Sequence, residues 1–189
     1  MKIGKTFYAA DRETWRSWLV KNHKKESEIW LIYYKKASGK PRIPYNDAVE
    51  EALSFGWIDS TVKNIDDERF AQRFSPRKPN SQLSQMNRER IRKLISKKRI
   101  TPAGLAAIAH TFKADSDDKD FTICEDILGA IKENRDAWVH FQRFPESYKR
   151  IRIAYIESQR RHSADAFRRS LQNFIRMTAR GKKFGFVRE

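Results

Sequence analysis

Apolar and charged residues alternate along two runs between residues 57 and 76. Ile58, Val62, Phe70 and Phe74 are apolar at even positions, while Asp59, Lys63, Arg69 and Arg73 are charged at odd ones. That period of two marks strands with one buried face and one wet face. With a turn near Ile65-Asp66-Asp67, the runs predict a β-hairpin. Residues facing each other across an antiparallel pair point to the same side, so the register should pair even with even, Ile58 with Phe74 and Val62 with Phe70. It would also set Asp59 opposite Arg73 and Lys63 opposite Arg69. Between Glu28 and Lys36, the stretch Ile29-Trp30-Leu31-Ile32-Tyr33-Tyr34 is apolar or aromatic without alternation. It predicts a strand covered on both faces, central to its sheet.

Elsewhere the period is helical. Asp11 can cap a helix through about Asn22, with Trp15, Trp18 and Leu19 inward and Arg12, Arg16 and Lys21 outward. Asn46 can cap a second, carrying Ala48, Val49, Ala52, Leu53 and Phe55 and stopped by Gly56. Ser81 can open a basic helix to about Lys98, and Thr101-Pro102 another through Phe112, whose Gly104, Ala106, Ala107 and Ala109 suit close packing. Past residue 120 the pattern is helical throughout: Ile127 to Asn134, Arg135 to Arg143, Glu146 to Arg160, and Ser163 to Arg180 closed by Gly181. The expected fold class is α+β: a small antiparallel or mixed sheet of at least three strands with helices packed on it, followed by a helical C-terminal half. The expected division is 1–112 as the α+β domain, 113–120 as an Asp-rich linker and 121–189 as a basic helical region. The linker has no glycine at the sixth position of a calcium loop, and Lys119 stands where a ligand should, so it is not read as a calcium site.

Charge narrows the partners. Lys and Arg number 40 against 24 Asp and Glu, giving a formal net charge of +16 and a pI near 10.1. Such an excess suits an anionic ligand or a polyanion: nucleic acid, an anionic membrane surface or a phosphorylated small molecule. The plainer reading is a soluble basic protein. Arg168, Arg169, Arg176, Arg180, Lys182 and Lys183, with Phe184 and Phe186 in a glycine-bracketed tail, form the candidate nucleic-acid surface. No RNA-recognition signature, finger spacing or helix-turn-helix accompanies them, so the affinity expected of charge alone is nonspecific.

Catalytic chemistry finds little support. Cys124 is the only cysteine, which excludes an intrachain disulfide and a cysteine zinc site, and with no cationic activator beside it in Phe121-Thr122-Ile123-Cys124-Glu125 it reads as a buried structural thiol. His23, His110, His140 and His162 lack metal-ligand spacing. There is no Gly-x-Ser-x-Gly elbow and no phosphate-binding glycine loop. Asp59 and Ser60, beside Trp57, should point to opposite faces of a strand. No catalytic residue, metal ligand or cofactor is therefore assigned, and an enzyme acting on a small anionic substrate stands as an alternative to a binding protein. No run of 18 apolar residues occurs, and Met1-Lys2-Ile3-Gly4-Lys5 is not a signal segment, so the expected location is cytoplasmic. Oligomeric state and ligand identity are not encoded legibly.

The stretch Phe55 to Asn87 concentrates the remaining signals. Pro76 and Pro79 stiffen the backbone on either side of Arg77-Lys78, and Ser81 follows as a helix cap whose unpaired amides favour anions. The candidate site combines Trp57 as a wall, Asp59 orienting Arg73, Arg77 and Lys78 as charge contacts, and Ser81 and Asn87 as polar ligands. The structural alternative is a cross-strand ion pair for Asp59, a simple cap for Ser81 and solvated cations.

Phe-Gly-Trp-Ile-Asp-Ser at 55–60, Arg73-Phe74-Ser75-Pro76-Arg77-Lys78-Pro79 and Ser81 to Asn87 together resemble the YdeI/OmpD-associated family, also described as bacteriocin-protection proteins. The likeness runs from about Phe7 to Gly185. Two positions depart from the family pattern: Leu83 stands where a tryptophan is common, and Ser163 to Arg169 replaces a Thr-Arg pair near an Arg-Arg. The resemblance implies protection against bacteriocins or envelope stress, without naming a reaction.

Overall fold

The computed structural model describes residues 2–112 and 121–185, so the expected linker 113–120 and Phe186 lie outside the described residues. The chain divides into two compact units, one of residues 1–83 with 90–112, the other of 84–89 with 113–189. The fold is α+β, a four-stranded mixed sheet with helices followed by a helical C-terminal half.

In the first unit the strands are β1 (Thr6–Tyr8), β2 (Ile29–Tyr34), β3 (Trp57–Asn64) and β4 (Arg69–Pro76), in spatial order β1-β2-β4-β3. β1 runs parallel to β2 and the other pairs are antiparallel. The unbroken apolar run is an interior strand as expected: Ile29, Leu31 and Tyr33 enter the main core, while Trp30 is buried on the opposite face. β1 was not legible, since three residues cannot show a period.

The hairpin forms, and its turn is held by the Asp66 carboxylate, which accepts from the backbone N–H of Glu68 and Arg69 at 3.0 and 2.7 Å. Its register corrects the expectation. Asp59 faces Phe74 and Ile58 faces Ser75, with an irregularity between Asp59 and Val62, after which Val62 faces Gln72. Trp57 is the fully buried residue at this end of β3, its indole donating to the His23 carbonyl at 3.1 Å, while Ile58 packs only partly buried against the same core. Asp59 shares the face of Trp57 two residues on, and the bulge then switches the parity that simple alternation assumes to be constant.

Helix α1 (Arg12–Asn22) is capped by Asp11, which accepts from the Thr14 N–H at 2.8 Å. Its Trp15 stacks with Trp18, which meets Trp57 edge-on, and Trp15 also meets Phe74, so one aromatic chain joins helix to sheet. Helix α2 (Tyr45–Ser54) begins one residue before the expected cap. The Asn46 amide oxygen accepts instead from Arg90 at 2.6 Å, and the Pro44 carbonyl takes the Ala48 N–H. Helix α3 (Gln85–Ser96) spans the change from one unit to the other and starts later than Ser81 suggested; Ser84 Oγ accepts from the Asn87 N–H at 3.3 Å. Helix α4 (Pro102–Ile108) is capped by Thr101 as expected. A Cβ on Gly104 would lie 2.4 Å from the Ser54 carbonyl oxygen, so glycine is what lets α4 approach α2.

The second unit is helical beyond residue 124: α5 (Glu125–Glu133), α6 (Arg135–Arg143), α7 (Glu146–Gln159) and α8 (Ala164–Ala179). Asn134 and Ser163 cap α6 and α8. Ile127, Ile131, Phe141, Tyr148, Ile153, Ile156 and Phe174 make its core. Cys124 is exposed rather than buried, because it precedes α5 instead of lying on its inner face. A hydrogen bond with Glu157 raises its pKa, holding it as the thiol. Among the described residues no helix is long and apolar enough to cross a membrane.

Candidate functional site

The residues expected to gather around the Pro-bracketed loop do not converge. Trp57 is 1% exposed and belongs to the core, so it is no pocket wall. Arg73 pairs with Glu28 at 2.6 Å and donates to Ser60 Oγ at 3.3 Å, on the face of the sheet opposite Asp59. Asp59 therefore does not orient it. Arg77 turns back on its own loop, where one terminal nitrogen donates to the Ser81 carbonyl, the Ser81 hydroxyl and the Gln82 carbonyl at 3.0 to 3.1 Å. Ser81 Oγ is thereby occupied, which is the physical reason it does not cap α3. Lys78 is exposed, and the Asn87 N–H donates to Ser84 Oγ at 3.3 Å.

What gathers around Asp59 is a neutral-donor cluster. Its carboxylate accepts from the Tyr45 hydroxyl at 2.8 Å and the Gln72 amide at 3.4 Å. Burial and then Asp59 push Tyr45 up to about 12, so this hydroxyl stays a donor at neutral pH. Tyr33, 2% exposed, has no hydrogen-bond partner for its hydroxyl among the described residues, and burial raises its pKa too. The Arg90 guanidinium interacts with the charge of Asp59, and burial lowers its pKa.

The second unit holds a different arrangement. A groove of about 590 Å³ is lined on one side by Arg152, Tyr155 and Gln159 of α7 and on the other by Ala166, Arg169, Ser170 and Asn173 of α8. Each set repeats at helical spacing, so each is a stripe on one helix face. Met86, Phe184 and Gly185 complete the lining. Arg152 is only 8% exposed, yet it meets no carboxylate among the described residues, and its Nε has no acceptor there. Its guanidinium lies 4.0 Å from the Phe184 ring centre and 5.1 Å from that of Tyr155. Phe184 is itself fixed by its N–H, which donates to the Tyr148 hydroxyl at 3.2 Å. At Gly185, φ is +92° and a Cβ would sit 3.1 Å from an Arg152 nitrogen, so only glycine passes there without strain. Burial lowers the pKa of Arg152, but from so high a value that the group remains a cation.

The six cations singled out from sequence lie on α8 or just beyond it, and all are exposed. Arg168 pairs with Asp165 at 3.3 Å and Arg176 donates to Asn173 at 2.8 Å; Arg169 alone of the six lines the groove. Sequence reasoning missed Arg152. Among the described residues no cluster of His, Cys, Asp or Glu has the makings of a metal site.

Two family models match separate stretches of the chain. Residues 7–107 match the family model described as a domain of unknown function (DUF8412), and residues 120–181 match the one described as bacteriocin-protection, YdeI or OmpD-associated. The chain belongs to the first family, whose model covers more than half of it, and its C-terminal segment is similar to the YdeI/OmpD-associated proteins. The motifs at 55–60 and 73–87 fall inside the first match. No curated protein and no solved structure matches the chain.

Proposed function

We propose that this chain binds small organic anions, and that its binding site is the α7/α8 groove around Arg152. One observation carries the reading: a guanidinium buried to 8% exposure with no acid partner among the described residues. An unpaired buried ion costs several kcal/mol. Two ring contacts offset about 0.5 to 2 kcal/mol each. An anion in the groove supplies the rest, and the absence of any carboxylate from the lining among the described residues favours one. The anion reading thus moves from the Arg77 loop to the second unit. No residue is assigned a catalytic role.

The description of the family that the C-terminal segment matches supplies the context we propose for this binding, a protective role against bacteriocins. The test is thermal melting of the whole chain with phosphate, benzoate or phenyl phosphate, for the parent and Arg152→Met. The expected result is stabilisation of the parent alone, with the unliganded variant as stable as the parent or more so, since methionine removes an unpaired charge. Equal response of both proteins refutes the reading. In a strain lacking the protein, the same variant should fail to restore bacteriocin tolerance where the parent succeeds.

A second reading rests on the exposed cations Arg168, Arg169, Arg176, Arg180, Lys182 and Lys183. It predicts nonspecific nucleic-acid binding with a log-log salt slope of about −0.9 per phosphate contact on duplex DNA, flattened in Arg168→Glu/Arg169→Glu. No binding at low salt removes it.

A further inference from the structure

We infer that the ligand of the Arg152 groove is a phosphate monoester carried on a planar ring, of the mononucleotide or aryl phosphate type. This rests on the reading that the groove binds anions. The charge count comes first. The lining contains two cations, Arg152 held rigidly and Arg169 on an exposed stem, and no anion. A phosphate monoester is largely a dianion at neutral pH, its second pKa being about 6, and matches two guanidiniums where a carboxylate matches one.

Direction comes next. Rings of Phe184 and Tyr155 lie over Arg152, at 4.0 and 5.1 Å, so the edge of the guanidinium carries the remaining donors. That edge is the fork geometry that takes two phosphate oxygens at once. Ser170 adds a hydroxyl, and the Asn173 amide, whose oxygen accepts from Arg176, keeps its N–H groups as donors. Size and surface then require a body beyond the phosphate. About 590 Å³ is the volume of a small-molecule site rather than of an inorganic ion. Tyr155 remains 49% exposed beside Arg152, which leaves ring surface for stacking, with the Met86 thioether as a further apolar wall.

Calorimetric titration of the full chain with adenosine monophosphate, phenyl phosphate, inorganic phosphate, benzoate and adenosine tests this, using the parent, Arg152→Met, Tyr155→Ala and Tyr155→Phe. The two ring-bearing phosphates should bind at least about tenfold tighter than the other three probes, as expected when one stacking contact adds to the charge contact. Tyr155→Ala should erase that advantage and Tyr155→Phe should keep it. Because Tyr155 is half exposed, its replacement tests the inference even if Arg152→Met fails to fold. Arg152-dependent binding in which benzoate or inorganic phosphate equals the monoesters overturns the ligand class and leaves the anion reading standing. Ring-bearing phosphates that bind tightly but are indifferent to Tyr155→Ala also overturn it. Absence of Arg152-dependent binding by every probe overturns both.

Discussion

Glu51 offers the sharpest test of what holds the first unit together. It lies on α2, is 0% exposed, and accepts from Arg12 at 2.5 Å, Arg16 at 2.6 Å and Arg99 at 2.7 Å. One carboxylate therefore ties α1, α2 and the segment after α3. Glu51→Gln keeps the shape and removes the charge, leaving three guanidiniums facing one another. Removing one partner of a buried pair costs about 3 to 5 kcal/mol. Two features place this case at the lower end. The arginine side chains are 24, 33 and 38% exposed, and Arg12 retains Glu50 at 3.0 Å and Asp47 at 3.4 Å. The expected loss is about 3 kcal/mol, or at least 12 °C in melting temperature for a unit of this size. Arg16→Met should cost only about 1 kcal/mol, because the acid keeps two partners. The assay is urea unfolding followed by tryptophan fluorescence, which favours this unit, since Trp15, Trp18, Trp30 and Trp57 lie in it and Trp138 alone lies in the other. A loss below about 1 kcal/mol for Glu51→Gln would show that water reaches the cluster and that the reasoning fails.

Gly104→Ala should destabilise despite the better helix former, by about 1 to 3 kcal/mol, because the new Cβ would press on the Ser54 carbonyl; a gain in melting temperature contradicts the close approach. Arg77→Met should release the loop at 77–82, at a cost of about 2 kcal/mol for charged hydrogen bonds to three acceptors, read as faster amide exchange at Ser81 and its neighbours; unchanged protection contradicts the fold-back of Arg77. Arg160 binds Asp126 at 2.6 Å and Glu157 at 2.9 Å and holds both carboxyls below their ordinary values of 3.8 and 4.5. Depressed carboxyls stabilise the fold above their unfolded pKa and lose that contribution as pH falls through the folded one. Arg160→Gln should therefore melt below the parent at neutral pH, with the gap closing below about pH 4; a constant gap contradicts the assignment.

The elements that sequence made legible are those whose pattern is local. The buried run at 29–34, the turn at Asp66, the Asp11 and Thr101 caps and the four C-terminal helices needed only spacing and cap chemistry. The expected hairpin register is one residue out at Ile58, which faces Ser75 and not Phe74, and two out at Val62, which faces Gln72 and not Phe70; the bulge between Asp59 and Val62 accounts for the change from one to two, because counting parity assumes an unbroken ladder. Ser81 and Asn46 failed as caps because each side chain meets an arginine instead, Arg77 from four residues away and Arg90 from within α3. Cap competence is local, whereas competition for the cap is not.

The same distinction governs the candidate site. Two prolines around Arg77-Lys78 advertise a fixed cation, and Arg77 is indeed fixed, by carbonyls of its own loop. Arg152 was hidden in Lys149-Arg150-Ile151-Arg152, which reads as an ordinary solvated basic run. Yet Tyr148, Arg152 and Ile156 are spaced by four, and Tyr148 and Ile156 are core residues. An arginine in the middle of an apolar stripe is expensive to bury unless something meets it. That spacing was readable beforehand, and it separates Arg152 from its basic neighbours: Arg150 at the same end of α7 is paired with Glu89 at 2.6 Å, whereas among the described residues Arg152 meets the rings of Tyr155 and Phe184 and no acid. In a chain with 40 basic residues, net charge selects none of them. A cation placed against the apolar period, with no acid to receive it, selects one.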